Sequence, residues 1–587
     1  MSLHYHVHCH DPHAHLFAVE LQLSVATGTT ELWLPNWLPG SYLIRDFARH
    51  LQQLESNCDG QTCTVHKVSK NRWQVTHGTG LLRVRYQVYG FDESVRGAYL
   101  DQYRLFFNGS SLLLAVNGQE QRAVTLSLGP LPHGDWQLAT TLPADDEHPG
   151  QFRAANYLTL IDHPVAAAPM QWGQFEVDGI NHRIALVGAP SFDIDRLCRD
   201  LSMACRTVQQ LFGGPLPFDQ YLFLVQVEGD GYGGLEHADS TALLCSRRDL
   251  PQAETLADDG HYSGFLALCT HEYFHAWNVK RLAPGTFLQP DLEHEVHTTQ
   301  LWWYEGITSY YDELLLLRTG LISQERYLQM LSETLTRVFR HPGRHCQPLL
   351  ESSFDAWTKL YKADENATNS QISYYTKGAM VGLALDLRLR SLNTGLSLDQ
   401  LLRTLWQRHG LTLTGTDEDT VIALVAELAG SVVATELNQW LTASDDPPLA
   451  ELLANAGVDL QLRPALGPDD KGGWSHQLAP RFSLGAAYKS NASGLELTSV
   501  TIGGAAHGAG LTARDLLIAF DGIKATTTRW QELQHSPEGT NVEVHFFRRD
   551  HLRQCQLTLQ SPSPDSCGLR LTDQRPAFDW LNAPLST

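Results

Sequence analysis

Paired cysteines, basic clusters and long apolar runs are what this sequence does without. Its ten Cys are scattered and form no C-x-x-C pair, which reads as free thiols rather than a disulfide frame. No long basic cluster interrupts a chain with 43 Lys and Arg against 65 Asp and Glu, a net charge of −22. That balance disfavours nucleic acid or an anionic membrane as a partner and favours solubility. No uncharged apolar run reaches the ~20 residues of a transmembrane helix. The first residues show no basic region followed by an apolar one, so no secretory signal is expected and the expected compartment is the cytoplasm. What is present is apolar content of 43% over 587 residues, ample for the cores of three or four domains.

The stretch that carries chemistry is His271-Glu272-Tyr273-Phe274-His275, an H-E-x-x-H pattern. On a helix, positions i and i+4 share one face, so both imidazoles can reach one zinc ion, and Glu272 stands where a carboxylate can take a proton from water activated by the metal. In a chain with 27 His the pattern alone is weak. Its setting strengthens it: Phe265 to Thr270 is an apolar run free of Gly and Pro, and Ala276 and Trp277 continue the pattern. That is the profile of a buried helix with one polar stripe. Two buried imidazoles and a carboxylate require partners, and one Zn²⁺ per chain would supply one. Cys269, two residues earlier, turns away from the histidine face and reads as packing.

A catalytic zinc site needs a third protein ligand. Glu305, in Trp302-Trp303-Tyr304-Glu305-Gly306, is the best candidate, on a segment from His297 to Arg318 that lacks Pro and reads as helix. Glu293 and Glu295 are rivals in a polar stretch. Asp312, seven residues after Glu305, would share its helical face and could hydrogen-bond a ligating histidine.

The pairing of H-E-x-x-H with W-x-x-E-G resembles the gluzincins, the thermolysin and aminopeptidase N superfamily. More closely, the chain resembles the glycyl-aminopeptidase family, cytosolic gluzincins with a C-terminal PDZ domain. Residues 34–49, reading L-P-N-W-L-P-G-S-Y-L-I-R-D-F-A-R, resemble that family's N-terminal hallmark, and the resemblance covers nearly the whole chain. It implies a zinc aminopeptidase acting on peptides that begin with a small residue such as Gly or Ala. Gly231-Tyr232-Gly233-Gly234-Leu235-Glu236-His237 resembles the glycine-rich exopeptidase motif, in which the Glu holds the substrate's free amino terminus. Gly233 and Gly234 would let the backbone lie close to a substrate strand. The chain departs from the aminopeptidase N pattern at His237, where Asn stands. Tyr221 to Val227 reads as a strand that places this motif at a sheet edge. Ser373-Tyr374-Tyr375-Thr376-Lys377-Gly378 resembles the Y-x-K-G motif whose Tyr stabilises an oxyanion; alignment on Lys377-Gly378 selects Tyr375, with Tyr374 as the alternative.

The expected architecture is multidomain α+β. An antiparallel β-sandwich or saddle spans 1–170, with Leu82, Val84, Tyr86 and Val88 on one strand face. His4, His6, His8 and His10 share a strand face too, read as a polar face rather than a metal site. A thermolysin-like catalytic domain, small sheet then helices, spans 171–462; 463–477 is a linker, 478–568 a PDZ-like domain and 569–587 a tail. Leu484, Gly485 and Ala486 would form the PDZ loop that captures a peptide C-terminus, although Ala486 is small for that role and a purely structural PDZ is the other reading. Two further functions compete: an endopeptidase or oligopeptidase that recruits substrates through the PDZ unit, and a non-catalytic peptide-binding scaffold.

Overall fold

The computed structural model describes residues 3–582 apart from 146, 149, 190, 253–258, 538 and 574. The chain forms two compact units, one of Met1–Val296, Thr319–Leu321 and Arg403–Asp417, the other of His297–Arg318, Ile322–Leu402 and Glu418–Thr587.

The first unit begins as β-sheet. Strand β1 (Leu3–Asp11) pairs antiparallel with β2 (Leu16–Val25), and β2 with β3 (Gly80–Tyr89). Burial sets the register: Leu82, Val84, Tyr86 and Val88 are buried while Arg85 is exposed, and a one-residue slip would turn the apolar set to solvent. These strands belong to a seven-stranded sheet, and two four-stranded sheets complete the β region. The pairing is not purely antiparallel, because β1 runs parallel to Val124–Leu128. His4 and His6 bond the hydroxyls of Thr125 and Ser127 at 2.8 and 2.9 Å, as a polar strand face would.

A five-stranded sheet comes next, built from β4 (Gln171–Val177), β5 (Ile180–Val187), β6 (Tyr221–Glu228), β7 (Gly233–Glu236) and β8 (Ser240–Ser246). Its order is β4-β5-β6-β8-β7. Central β6 is buried along most of its length and parallel to both neighbours, the continuous apolar pattern that two covered faces demand. β7 lies at the edge, antiparallel to β8. Two helices accompany the sheet. α1 (Ile194–Phe212) is amphipathic and begins where the Asp193 side chain accepts from Arg196 N–H at 2.9 Å. α2 (Gly260–Phe274) is apolar nearly all round and buried, and Asp259 caps it by accepting from His261 and Tyr262 N–H.

The second unit is mostly helical. A π-helical turn, Trp302–Ile307, leads into α3 (Thr308–Thr319), then α4 (Gln324–Phe339) and α5 (Tyr374–Ser391). The helix expected from His297 therefore starts later, and its first turn is wider than an α-turn. Thr308 bonds the Tyr304 carbonyl at 2.6 Å beside this turn. An extra residue in the turn rotates the helix beyond it, so the seven-residue spacing of Glu305 and Asp312 no longer keeps them on one line. Strand β9 (Val458–Arg463) pairs with the last strand, Ser566–Leu571. Between them lies a sheet of β10 (Ala486–Asn491), β11 (Gly494–Val500), β12 (Leu516–Phe520), β13 (Ile523–Lys524), β14 (Asn541–Arg548) and β15 (His551–Thr558), with two short helices, Ala505–Gly508 and Thr527–Leu533. It has its own core around Leu495, Leu517, Phe520 and Val544. The stretch after β9 is ordered by Arg463, which holds Asp470 at 2.6 Å.

No helix among the described residues is long and apolar enough to cross a membrane, and all ten Cys are free. The C-terminal segment is built into the helical unit. Trp580 is 1% exposed, its indole N–H donates to Tyr310 Oη at 3.0 Å, and Tyr310 in turn donates to Asp386 at 2.8 Å. Trp580→Ala would empty this slot and leave a buried hydroxyl short of a donor. It is expected to cost about 3–5 kcal/mol, measured as a fall in the unfolding midpoint of the full chain; a loss below about 1 kcal/mol would mean the segment is not structural.

Candidate metal and peptide site

The first unit assembles the site from β7, α2 and loops of the β region. α2 ends at Phe274, one residue short of His275, so Ala276 and Trp277 do not continue it. His275 is its C-cap, still right-handed at φ −63° and ψ −20°, and its N–H still donates to the His271 carbonyl at 3.2 Å. The i, i+4 relation thus survives the end of the helix. The two imidazole rings stand 4.6 Å apart and nearly perpendicular, at 88°. His275 Nδ1 lies 2.8 Å from the Asn278 carbonyl, which can only accept, so Nδ1 carries the proton and Nε2 keeps its lone pair. That is the orientation a metal-ligating histidine needs, and with this donor set the residues present fit a zinc ion.

An aromatic floor fixes α2 from beneath. Tyr273 packs edge-on against Tyr221 at 4.8 Å and beside Trp277 at 5.4 Å. Its hydroxyl meets His182 Nε2 at 3.0 Å, while His182 Nδ1 bonds the Ile180 carbonyl. Burial holds the His182 imidazole down at about 4, so the ring is neutral and accepts from the tyrosine. Cys269 is fully buried, and burial pushes its thiol well up; it is packing, as expected.

Glu272 and Glu236 are each 5% exposed. Donor atoms of Glu236, Glu272 and His275 lie within 4.8 Å of one another. No Lys or Arg among the described residues forms an ion pair with Glu236. The sequence motif explains how the strand comes so near: a Cβ at position 234 would collide with the Glu272 carboxylate, so only glycine lets β7 lie against α2. The Gly234 carbonyl accepts from Arg96 Nη2 at 2.8 Å, and Gly233 lies alongside the same guanidinium. Position 40 is constrained in the same way. Gly40 has φ of +86°, and a Cβ there would stand 2.5 Å from Glu236 Oε2.

The loop bearing Gly40 is strapped down. Asn36 donates to the Glu293 carbonyl at 2.7 Å and Trp37 to the Asp291 carbonyl at 2.8 Å. The Glu293 side chain is held by Arg72 and Asn71; burial pushes its carboxyl up, but these donors outweigh that and keep it below the usual range. Glu295 is exposed. Neither rival to Glu305 is available as a buried ligand.

Beyond His275 the chain turns sharply at Val279, whose φ of 130° is rare for a β-branched residue. The turn delivers Lys280 to Asp162, Nζ to Oδ1 at 2.7 Å. Asp162 also accepts from His237 Nδ1 and Ala238 N–H, both at 3.1 Å. Burial opposes ionisation of this carboxyl, yet Lys280 and His237 together hold it well below the ordinary range.

In the second unit Glu305 sits in the π-turn and is 2% exposed. Asp312 is half-buried on α3. Ser373 caps α5, accepting from Tyr375 N–H at 3.2 Å. Tyr374 is fully buried and Tyr375 only partly so. Their rings stack 4.7 Å apart, and Tyr361 Oη lies 2.9 Å from Tyr375 Oη and 3.3 Å from Tyr374 Oη. Arg96, Gly40, Asp162, Lys280 and Tyr361 escaped sequence reasoning. Only the glycine at 40, inside a motif already singled out, offered a signal.

Residues 4–169 match the Peptidase M61 N-terminal domain, and residues 264–381 match the M61 glycyl aminopeptidase domain. An aminopeptidase N family protein from Idiomarina loihiensis is 42% identical, over 97% of this chain and 98% of that one, with a TM-score of 0.94. An M1 zinc metallopeptidase from Deinococcus radiodurans is 14% identical over 76% of this chain and 95% of that one, with a TM-score of 0.47. No curated protein matches the chain. Metal content separates the ligands from the base. His271→Ala and His275→Ala are each expected to lose bound zinc from about one per chain to near zero, while Glu272→Gln keeps it; zinc retained at full occupancy in both histidine variants would remove the pair as ligands.

Proposed function

We propose, from the premise that this chain belongs to the M61 glycyl aminopeptidase family, that it releases single residues from the amino end of peptides. It is a zinc metallopeptidase of the aminopeptidase type. The observation that carries the exopeptidase reading is the buried Glu236 carboxylate, beside Glu272 and His275 and with no Lys or Arg partner among the described residues. A substrate ammonium is the cation this position lacks. Its charge-assisted pairing would fix the peptide's register to one residue.

Zinc held by His271, His275 and Glu305 would supply Lewis acidity, lowering the pKa of water and polarising the scissile carbonyl. Glu272 accepts the proton of the attacking water and returns it to the leaving amine as the C–N bond breaks. The Asn278 carbonyl keeps His275 in the tautomer that presents Nε2. Tyr375 donates its O–H to the carbonyl oxygen as negative charge develops; its partial exposure favours it over the fully buried Tyr374. Asp312, half-buried on α3, is proposed as the carboxylate that hydrogen-bonds a ligating histidine.

The C-terminal sheet is read as a PDZ module. Its edge strand β10, paired only with β11 among the described residues, offers main-chain groups for strand addition. Gly485, left-handed at φ +65°, heads that strand between Leu484 and Ala486. A peptide C-terminus is the ligand this loop would take. Peptides are thus the partners proposed for the metal site and for the C-terminal module, in the cytoplasm.

Glu272→Gln is expected to lower kcat by about 10²–10⁴ while zinc stays bound. Glu236→Ala is expected to raise KM for free-amine arylamides by at least ~10-fold and to abolish discrimination against N-acetylated peptides. Unchanged arylamide kinetics in the Glu236 variant would instead favour an endopeptidase.

A further inference from the structure

The family resemblance implies a small first residue, Gly or Ala. The space beside Glu236 is far larger than either requires. A cleft of about 530 Å³ has Glu236 and Gly40 in its lining, within the ~300–1,000 Å³ of pockets that enclose whole small molecules. A methyl group would leave nearly all of it to water.

One part of the wall is apolar. Leu38 and Pro39 flank Gly40, Leu288 faces the same space, and Tyr42 stacks on Phe287 at 5.8 Å and 25°. Leu413, half exposed, completes the lining. Position 40 carries no side chain, so nothing from that residue narrows the opening beside the carboxylate.

Several polar groups of the cleft are already paired, while His237 Nε2 is buried without a partner among the described residues. Asp162 accepts from Lys280, His237 and Ala238 N–H. His163 bonds the Thr159 carbonyl through Nδ1 and faces Asp239 through Nε2 at 3.6 Å. A charged side chain entering here would have to break an existing pair to find a counter-charge, a costly exchange in a partly buried site. An apolar side chain would only displace water from apolar walls.

We infer that this cleft receives the side chain of the substrate's first residue and favours a large apolar one, such as Leu, Met or Phe, over Gly or Ala. The inference rests on the amine-anchoring role proposed for Glu236.

The test uses the full-length zinc-loaded protein and arylamides of Gly, Ala, Leu, Phe, Lys and Glu. Leu and Phe should exceed Gly in kcat/KM by at least ~10-fold, with Lys and Glu poorest. Leu413→Trp, a change at a half-exposed position that the fold should tolerate, should lower the ratio of kcat/KM for Leu and Phe to that for Gly and Ala several-fold. A free peptide beginning Leu-Ala should release Leu alone, read by mass spectrometry. Gly or Ala hydrolysed faster than Leu and Phe overturns the inference and leaves the aminopeptidase reading standing, as does an equal loss on all substrates in Leu413→Trp. Release of an intact Leu-Ala dipeptide would show that the cleft holds a second residue, and overturns it too. No hydrolysis of any arylamide, with N-acetylated peptides still cut, sinks both readings.

Discussion

The close approach of edge strand β7 to helix α2 is the constraint on which the functional part of the first unit depends. It brings Glu236, Glu272 and His275 to within 4.8 Å at their donor atoms, in a place where both carboxylates are almost wholly buried. Two acids so placed repel each other, and desolvation penalises both charges. Such a local conflict is expected where function, not stability, selects the residues. A cation relieves it, and zinc carries the right sign. Binding and folding are therefore coupled here: the occupied site is the better-balanced one.

The surroundings are rigid where this conflict has to be held. Tyr273, Tyr221 and Trp277 form a packed floor under α2, and the neutral His182 ties Tyr273 to β5. The N-terminal β region does more than flank the sheet. It contributes Gly40 against Glu236, Arg96 on the Gly234 carbonyl and Asp162 beneath His237. The surroundings of Glu236 are thus built by segments about 40, 100 and 160 residues into the chain, converging on a four-residue strand.

This convergence explains what could be read from the sequence. The buried helix carrying H-E-x-x-H, the strand from Tyr221, the edge position of the glycine motif and the buried face of β3 were all legible, since each is a local periodicity or a turn signal. Helix α4 runs from Gln324 to Phe339, within a residue of the Ser323 and Arg340 limits that its pattern suggests. The early end of α2 was not legible, because Ala276 and Trp277 are good helix residues and tertiary contacts decide the turn. The π-turn at Trp302–Ile307 left no periodic trace either, since one extra residue in six looks like noise in an apolar stretch. Arg96, Asp162 and Lys280 read as ordinary surface charges until the fold places them, and no spacing rule relates positions more than a hundred residues apart.

His237 shows how far a single departure from a motif reaches. Where the aminopeptidase N pattern has Asn, this chain places an imidazole whose Nδ1 can only donate to the Asp162 carboxylate. The residue is 2% exposed and its Nδ1 is turned toward that acid, while Nε2 is buried without a partner among the described residues. Asp162 in turn secures Lys280 just past the strained Val279, and with it the path of the chain leaving His275. The histidine therefore belongs to the scaffold of the metal-binding turn. Glu236, one residue earlier on β7, stands instead beside Glu272 and His275.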